Sequence, residues 1–409
     1  MSDKIRLVIL SESQLLPREV EFFCMDEMAE QFQLEYWDCS AFLFPPFRVP
    51  EKVIEKDYLK IIPSLSAFAD AISSLPSDTV VVEDVFANKA NYRFHTILNK
   101  YFHSYLTVFF ATNSMSMWQA DTDNANRFTA PQPKSWIQKI KEIIYRPFFV
   151  KRLVTYLRHH NSPEYEAKVN RLYDAQTHRM SDITIIGCNS QFEWRINHPD
   201  YERYLRLQAP KESPVKEPYI VFVDEYFPYL QEVKMDNPDI NLDETARMYY
   251  QSMNAFFDVV EKQYKCPVVV AAHPRADYSK YNPYGGREIF FYRTVELIKF
   301  CRACIIHNSN CYSFVVLYNK PVAAVINDAL HRSMLFTNYI IDVNANLRVE
   351  VQDIDNPNKR ADKDIFAYID ESVRKRYIQT YLHDNGTSKN NAELLAQYFR
   401  EFHERVSKK

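Results

Sequence analysis

Glycine is scarce in this chain: only Gly187, Gly285, Gly286 and Gly386 occur in 409 residues, where an average chain would hold about 7%. So few glycines cannot build a G-x-G-x-x-G loop or a Walker A loop, which excludes a classical dinucleotide dehydrogenase and a P-loop enzyme. Cysteines number seven, odd and scattered, and read as reduced thiols and not as a disulfide framework. Cys301 and Cys304 form a C-x-x-C with no second pair to complete a zinc site; the spacing reads as a helix end entering a buried strand. No Asp-x-Asp closes the third or fourth strand and no His/Cys ligand spacing is complete, so neither a metal nor another cofactor is expected. No run of about 18 uncharged apolar residues is present. Met1 to Lys4 lead directly into a strand, without the cationic and apolar regions of a signal peptide. Both features point to a cytoplasmic chain. The formal net charge is -3, which gives no reason to expect a nucleic-acid partner.

What is present is a well-cored globular composition, 46% hydrophobic and 25% charged, in a chain long enough for two domains. Aromatic residues make up 15%, and their first role is packing. Apolar, β-branched runs without polar alternation suit strands buried on both faces. They fall at 4–10, 34–39, 79–85 and 106–111, and again at 183–186, 219–224, 267–272, 303–307 and 321–326. Helical spacing lies between them, at 19–32, 243–264, 294–302 and 309–319, and terminal helices are expected at 362–382 and 390–407. Alternation of this kind predicts right-handed βαβ units and parallel sheets. The expected fold class is therefore α/β, with two Rossmann-like domains facing a cleft. The boundaries read as 1–175, then 176–385, then a C-terminal helix over 386–409. Residues 113–133 read as a polar loop and 134–173 as a helical segment. From Lys134 to His160 that segment carries seven Lys or Arg and one acid, Glu142, with aromatic and aliphatic residues interleaved. Such a helix packs on a core with a solvated basic face, or lies on an anionic membrane surface.

Four groups of residues carry chemistry. The buried run 268–272 ends directly in His273-Pro274-Arg275, at the carboxyl edge where parallel sheets bind ligands. His273 can donate a proton or hydrogen bond near neutral pH, Pro274 stiffens the exit, and Arg275 can grip a phosphate bidentately. Tyr278 follows closely and, with Tyr284, is a candidate to stack on a base or sugar. Gly285-Gly286-Arg287 offers a turn needing positive φ or close backbone approach, plus a second cation. Asn308, Ser309, Asn310 and Ser313 follow the strand at 303–307; Asn308 or Ser309 would be the N-cap of the next helix, whose first-turn N–H groups could hold a phosphate. Asp224-Glu225 ends another strand and could deprotonate a hydroxyl. Glu83-Asp84, at the end of an N-terminal strand, is a rival base.

The order acid pair, His-Pro, Ser-bearing helix start resembles bacterial glycosyltransferases of the GT-B fold, in particular the sialyltransferase and Kdo-transferase groups that use CMP-activated acidic sugars. Asp224-Glu225, His273-Pro274 and Ser309 with Ser313 match their three motifs in order; the residue after the acid pair, a glycine in the sialyltransferase motif, is Tyr226 here. The segments around Trp37-Asp38, Asp224 to Pro228, His273 to Tyr278 and Asn282 to Arg287 are similar to proteins of capsule and O-antigen gene clusters. The resemblance implies an N-terminal acceptor domain, a C-terminal donor domain and metal-independent transfer from a nucleotide-sugar donor to a surface-polysaccharide or lipid-linked glycan acceptor. Asp224 or Glu225 would be the catalytic base. His273 and the Ser motif would bind the donor phosphate, and 134–160 would touch the inner membrane. Two alternatives stay open: a UDP-sugar transferase or epimerase on the same fold, and a non-catalytic scaffold recruited to the membrane.

Overall fold

The computed structural model describes residues 4–43, 54–85, 91–108, 184–185, 194–208, 212–227, 229–230, 233, 237, 239–356, 364–383 and 388–408. The basic segment 134–160 lies outside them. The described residues within Met1–Ala111, Pro147–Glu202 and Gln379–Lys409 form one compact unit, and those within Arg203–Ile378 form the other.

The first unit holds β1 (Arg6–Ser11), β2 (Gln33–Asp38), β3 (Leu59–Ile61), β4 (Val80–Asp84), β5 (Leu106–Val108) and β6 (Thr184–Ile185). They form one sheet in the order β3-β2-β1-β4-β5-β6, and every pairing is parallel. This is the doubly wound Rossmann order, whose switch point lies between the first and fourth strands. Leu7 to Leu10 and Val80 to Val82 are fully buried, as central strands covered on both faces require.

The second unit repeats the plan with β7 (Ile220–Val223), β8 (Val268–Ala272), β9 (Ile289–Phe291), β10 (Ala303–Ile306), β11 (Val322–Ile326) and β12 (Val351–Asp353). Its order is β12-β11-β10-β7-β8-β9, again all parallel. Counted within the unit, this is the same order read from the other edge, so the switch point falls between β7 and β10. The long helix Leu242–Tyr264 buries Ala246, Tyr249, Met253, Phe256, Phe257 and Val260 on one stripe. Asn241 caps it by accepting the N–H of Glu244 at 3.2 Å, leaving fewer first-turn donors unpaired.

The expected α/β class is found, and three boundaries change. Thr184–Ile185 does not open the second sheet; it pairs with β5 as the last strand of the first. The C-terminal helix Asn391–Ser407 is not a separate appendage. Leu394, Leu395, Phe399 and Phe402 join Leu7, Ile9 and Phe32 in the first unit's core. Residues 199–202 and 379–383 also belong to the first unit. Pairing partners and helix docking are non-local contacts, and linear order cannot supply them. The expected helix at 19–32 is two helices, Pro17–Phe22 and Met25–Gln31, separated at Cys24, which adopts φ 47°.

Candidate functional site

The acid pair sits at the carboxyl end of β7, beside the switch point of the second sheet. Asp224 is buried, and its carboxylate takes four donors. Oδ1 accepts the hydroxyl of Tyr284 at 2.7 Å and the backbone N–H of Tyr226 at 2.8 Å. Oδ2 accepts the hydroxyl of Tyr278 at 2.7 Å and the N–H of His273 at 3.3 Å. A carboxylate offers about four acceptor positions, so its capacity is filled. Burial raises its acid range, and the hydrogen bonds from Tyr284 and Tyr278 oppose that rise. Asp224 therefore fastens the His273 corner to two tyrosines.

Glu225 is also buried. It accepts the N–H of Asn308 at 2.8 Å, and the Asn308 side-chain amide lies against its two oxygens. Burial pushes Glu225 up to about 8; the N–H of Asn308 opposes the shift and the charge of Asp224 adds to it. The pair thus ties the ends of β8 and β10 to the end of β7. Asp224 holds the first and Glu225 the second.

The backbone after the pair is forced. Tyr226 adopts φ 57°, a conformation that favours glycine and costs other residues about 1–2 kcal/mol. That is the position where the resembling motif carries glycine. The Tyr226 ring packs on Tyr229 and Tyr278, and Tyr278 continues to Phe291. Tyr229, Tyr281 and Phe291 are exposed.

His273 is half-buried, with Pro274 and Arg275 exposed. Its Nδ1 accepts the N–H of Arg275 at 3.1 Å, so the neutral ring carries its proton on Nε2. The turn closes with Ala276 N–H donating to His273 O at 2.9 Å. Tyr278 and Asp224 are thus brought to this corner as the strand-end reading requires. Tyr284 is fully buried, so it supports Asp224 and has no face to offer a ligand.

Arg287 departs from expectation. Its five N–H donors go to Glu261 (3.1 and 2.7 Å), Asp258 (2.6 Å), Asn254 (3.1 Å) and the carbonyl of Tyr284 (3.2 Å). The guanidinium also stacks over Phe257, 5.2 Å from the ring centre. No donor remains for a phosphate; the residue clamps its loop to the helix Leu242–Tyr264. Gly285 and Gly286 have φ 64° and 82°, as their pairing predicted. The close approach at Gly285 is to the clamp itself, since a Cβ there would meet Arg287 Nη1 at 3.0 Å.

The third segment follows β10. His307 is fully buried, between the Tyr249 hydroxyl (2.9 Å) and the Val325 carbonyl (2.6 Å), and burial lowers it to about 4. Its carbonyl accepts the amide of Asn344 at 2.9 Å. The N-cap of the next helix, Tyr312–Leu317, is Cys311, not Asn308 or Ser309. Ser309 Oγ accepts the N–H of Cys311 at 3.3 Å and Asn310 is exposed. Ser313 is buried with Oγ donating to Asn310 O at 2.8 Å, so it braces the turn. A helix of six residues brings little dipole to this edge. In the first unit, Glu83 is buried against His95 (2.8 Å) and Thr107 (3.2 Å), which makes it structural. Asp84 takes the Ser11 hydroxyl at 3.0 Å.

Among the described residues no His, Cys, Asp and Glu group is arranged to hold a metal ion, and no helix is long and apolar enough to cross a membrane. The Tyr249, Asn344 and Ser11 contributions were not anticipated. Tyr249 sits on an apolar helical stripe that gives no hint of its hydroxyl's partner.

No family model matches the chain, and no curated protein does. Among solved structures it is similar to the calicheamicin glycosyltransferase CalG4, with a TM-score of 0.50, 14% identity and coverage of 99% of this chain and 100% of that one. The chain has a GT-B-like fold. Looser likenesses are to the UDP-N-acetylglucosamine 2-epimerase of Rickettsia bellii (TM-score 0.41, 10% identity, 99% and 98% covered) and to spinosyn forosaminyltransferase SpnP (0.38, 13%, 99% and 98%). At 14% identity the likeness to CalG4 speaks for the fold alone.

Proposed function

We propose that this GT-B-like chain is a nucleotide-sugar-dependent glycosyltransferase whose donor phosphate is bound at the carboxyl edge of the second sheet. The observation that carries the reading is the bracing of that edge. Asp224 and Glu225, themselves buried, hold the His273-Pro274-Arg275 corner and the Asn308-Ser309 loop on either side of β7. A buried scaffold that fixes a half-exposed imidazole and an exposed Arg275 suits stabilisation of a leaving phosphate by preorganised donors. The name of the similar CalG4 structure agrees with this reaction class. The resemblance of the three motifs favours a CMP-activated acidic sugar as donor and a surface-polysaccharide or lipid-linked glycan as acceptor, with 134–160 as a contact to the inner membrane and no metal required. Asp224 and Glu225 are positioning residues in this reading.

Thermal shift with CMP, UDP, GDP and CDP tests it. A nucleotide at one hundred times its dissociation constant stabilises by about 2.7 kcal/mol. His273→Ala should abolish sugar transfer while the protein stays folded. Silence toward every nucleotide, or conversion of the donor without an acceptor, would count against transfer.

A further inference from the structure

The first sheet has its own switch point, and its occupants play no part in the donor reading. Ser11 ends β1, Asp38 ends β2 and Asp84 ends β4. In register, Ser11 lies opposite both Asp38 and Asp84. Residues level with one another in a parallel sheet share a face. Two residues earlier, Ile9, Tyr36 and Val82 occupy the same level and belong to one core cluster. The three polar ends therefore continue that face at the crevice where open α/β sheets take ligands. Ser11 Oγ donates to Asp84 Oδ2 at 3.0 Å and accepts the N–H of Ser13 at 3.1 Å. Tyr36 donates to Ser13 O at 2.8 Å, and Ser40 N–H donates to Asp38 Oδ1 at 2.9 Å.

A third carboxylate comes from the helix Pro17–Phe22. Glu19 is 5% exposed. One oxygen takes Arg18 Nε at 2.6 Å, and the other, Oε2, is buried with no hydrogen-bond partner. A buried acceptor without a donor costs about 1–3 kcal/mol. Burial pushes Asp84 up to about 7, the Ser11 hydroxyl opposes it, and the charges of Glu12, Glu19 and Glu83 add to it. Burial likewise raises Glu19, against Arg18. Tyr36 feels Asp84, Glu19 and Asp38. Among the described residues, Asp84, Glu19 and Asp38 thus all bear on the hydroxyl of Tyr36, and Arg18, the partner of Glu19, keeps its side chain 43% exposed.

We infer that this crevice binds a primary ammonium group, as carried by an amino sugar, through Glu19 and Asp84 with Ser11 and Asp38 beside them. An ammonium has three donors and no acceptor. It satisfies the orphaned oxygen and offsets the crowded carboxylates together, whereas a neutral hydroxyl leaves their repulsion in place.

Calorimetric titration of the full chain with 6-amino-6-deoxyglucose and with glucose tests this, at a pH above the Asp84 range. The amine should bind at least about tenfold more tightly. The preference should shrink as pH falls below about 7 and protons compete for Asp84. Glu19→Gln and Asp84→Asn should each remove it, with near-ultraviolet circular dichroism checking the fold. Equal or absent binding of the two sugars by the unmodified protein overturns the inference. So does an undiminished preference in folded Glu19→Gln. Neither outcome bears on nucleotide binding by the second unit, which the thermal-shift series reads separately.

Discussion

The hydroxyl of Tyr284 donates to Oδ1 of Asp224 at 2.7 Å, with both groups buried and 60 residues apart in sequence. Asp224→Asn keeps the shape but replaces one accepting oxygen with an NH2 that faces donors. Each unpaired buried group costs about 1–3 kcal/mol. Urea unfolding should show a loss in that range, and the nucleotide-induced thermal shift should fall because the N–H of His273 loses its anchor. Unchanged stability would mean that the carboxylate is not saturated as described.

Arg287 and His273 should behave oppositely. Arg287→Ala leaves Glu261 and Asp258 without their cation and frees the loop, so a loss of about 1–3 kcal/mol is expected. His273→Ala, at a half-exposed corner, should change stability by no more than about 0.5 kcal/mol while ending transfer. Paired urea titrations and a transfer assay separate the two.

Tyr226 is held at φ 57°. Tyr226→Gly relieves about 1–2 kcal/mol of backbone cost and gives up the packing on Tyr229 and Tyr278, so its net effect on stability should be small. Tyr226→Val loses the same packing and adds a β-branched residue where such residues are outliers. It should be the less stable of the two by more than about 1 kcal/mol, as measured by thermal unfolding.

Glu225 is raised from its ordinary 4.5 to about 8. The folded state therefore holds this proton more tightly than the unfolded chain does. Its contribution to stability is complete below the unfolded value, declines as pH rises from about 4.5 and is gone by about 8. Glu225→Gln cannot ionise. Across that window the stability of the unmodified protein should fall relative to this variant, as read from urea midpoints. Parallel pH profiles for the two proteins would contradict the shift.

Much of the fold is written locally. Buried runs such as Val268 to Ala272 and Val80 to Val82 specify central parallel strands. The short edge strands Leu59–Ile61, Ile289–Phe291 and Val351–Asp353 carry no such run and escape notice. The Gly285-Gly286 pair announced its positive φ because glycine is so rare here.

The sequence alone determined the α/β alternation, the two-domain scale and the strand ends where Asp224, His273 and Asn308 gather, because each is set by periodicity and burial along a few neighbouring residues. The tertiary structure alone decided which strand Thr184–Ile185 joins and that Asn391–Ser407 returns to the first sheet. It also decided that Arg287 spends every donor on Asn254, Asp258, Glu261 and Tyr284, and that Asp224 braces the site. A side chain's charge is legible from its type; whether that charge is already satisfied depends on partners brought to it from distant parts of the chain.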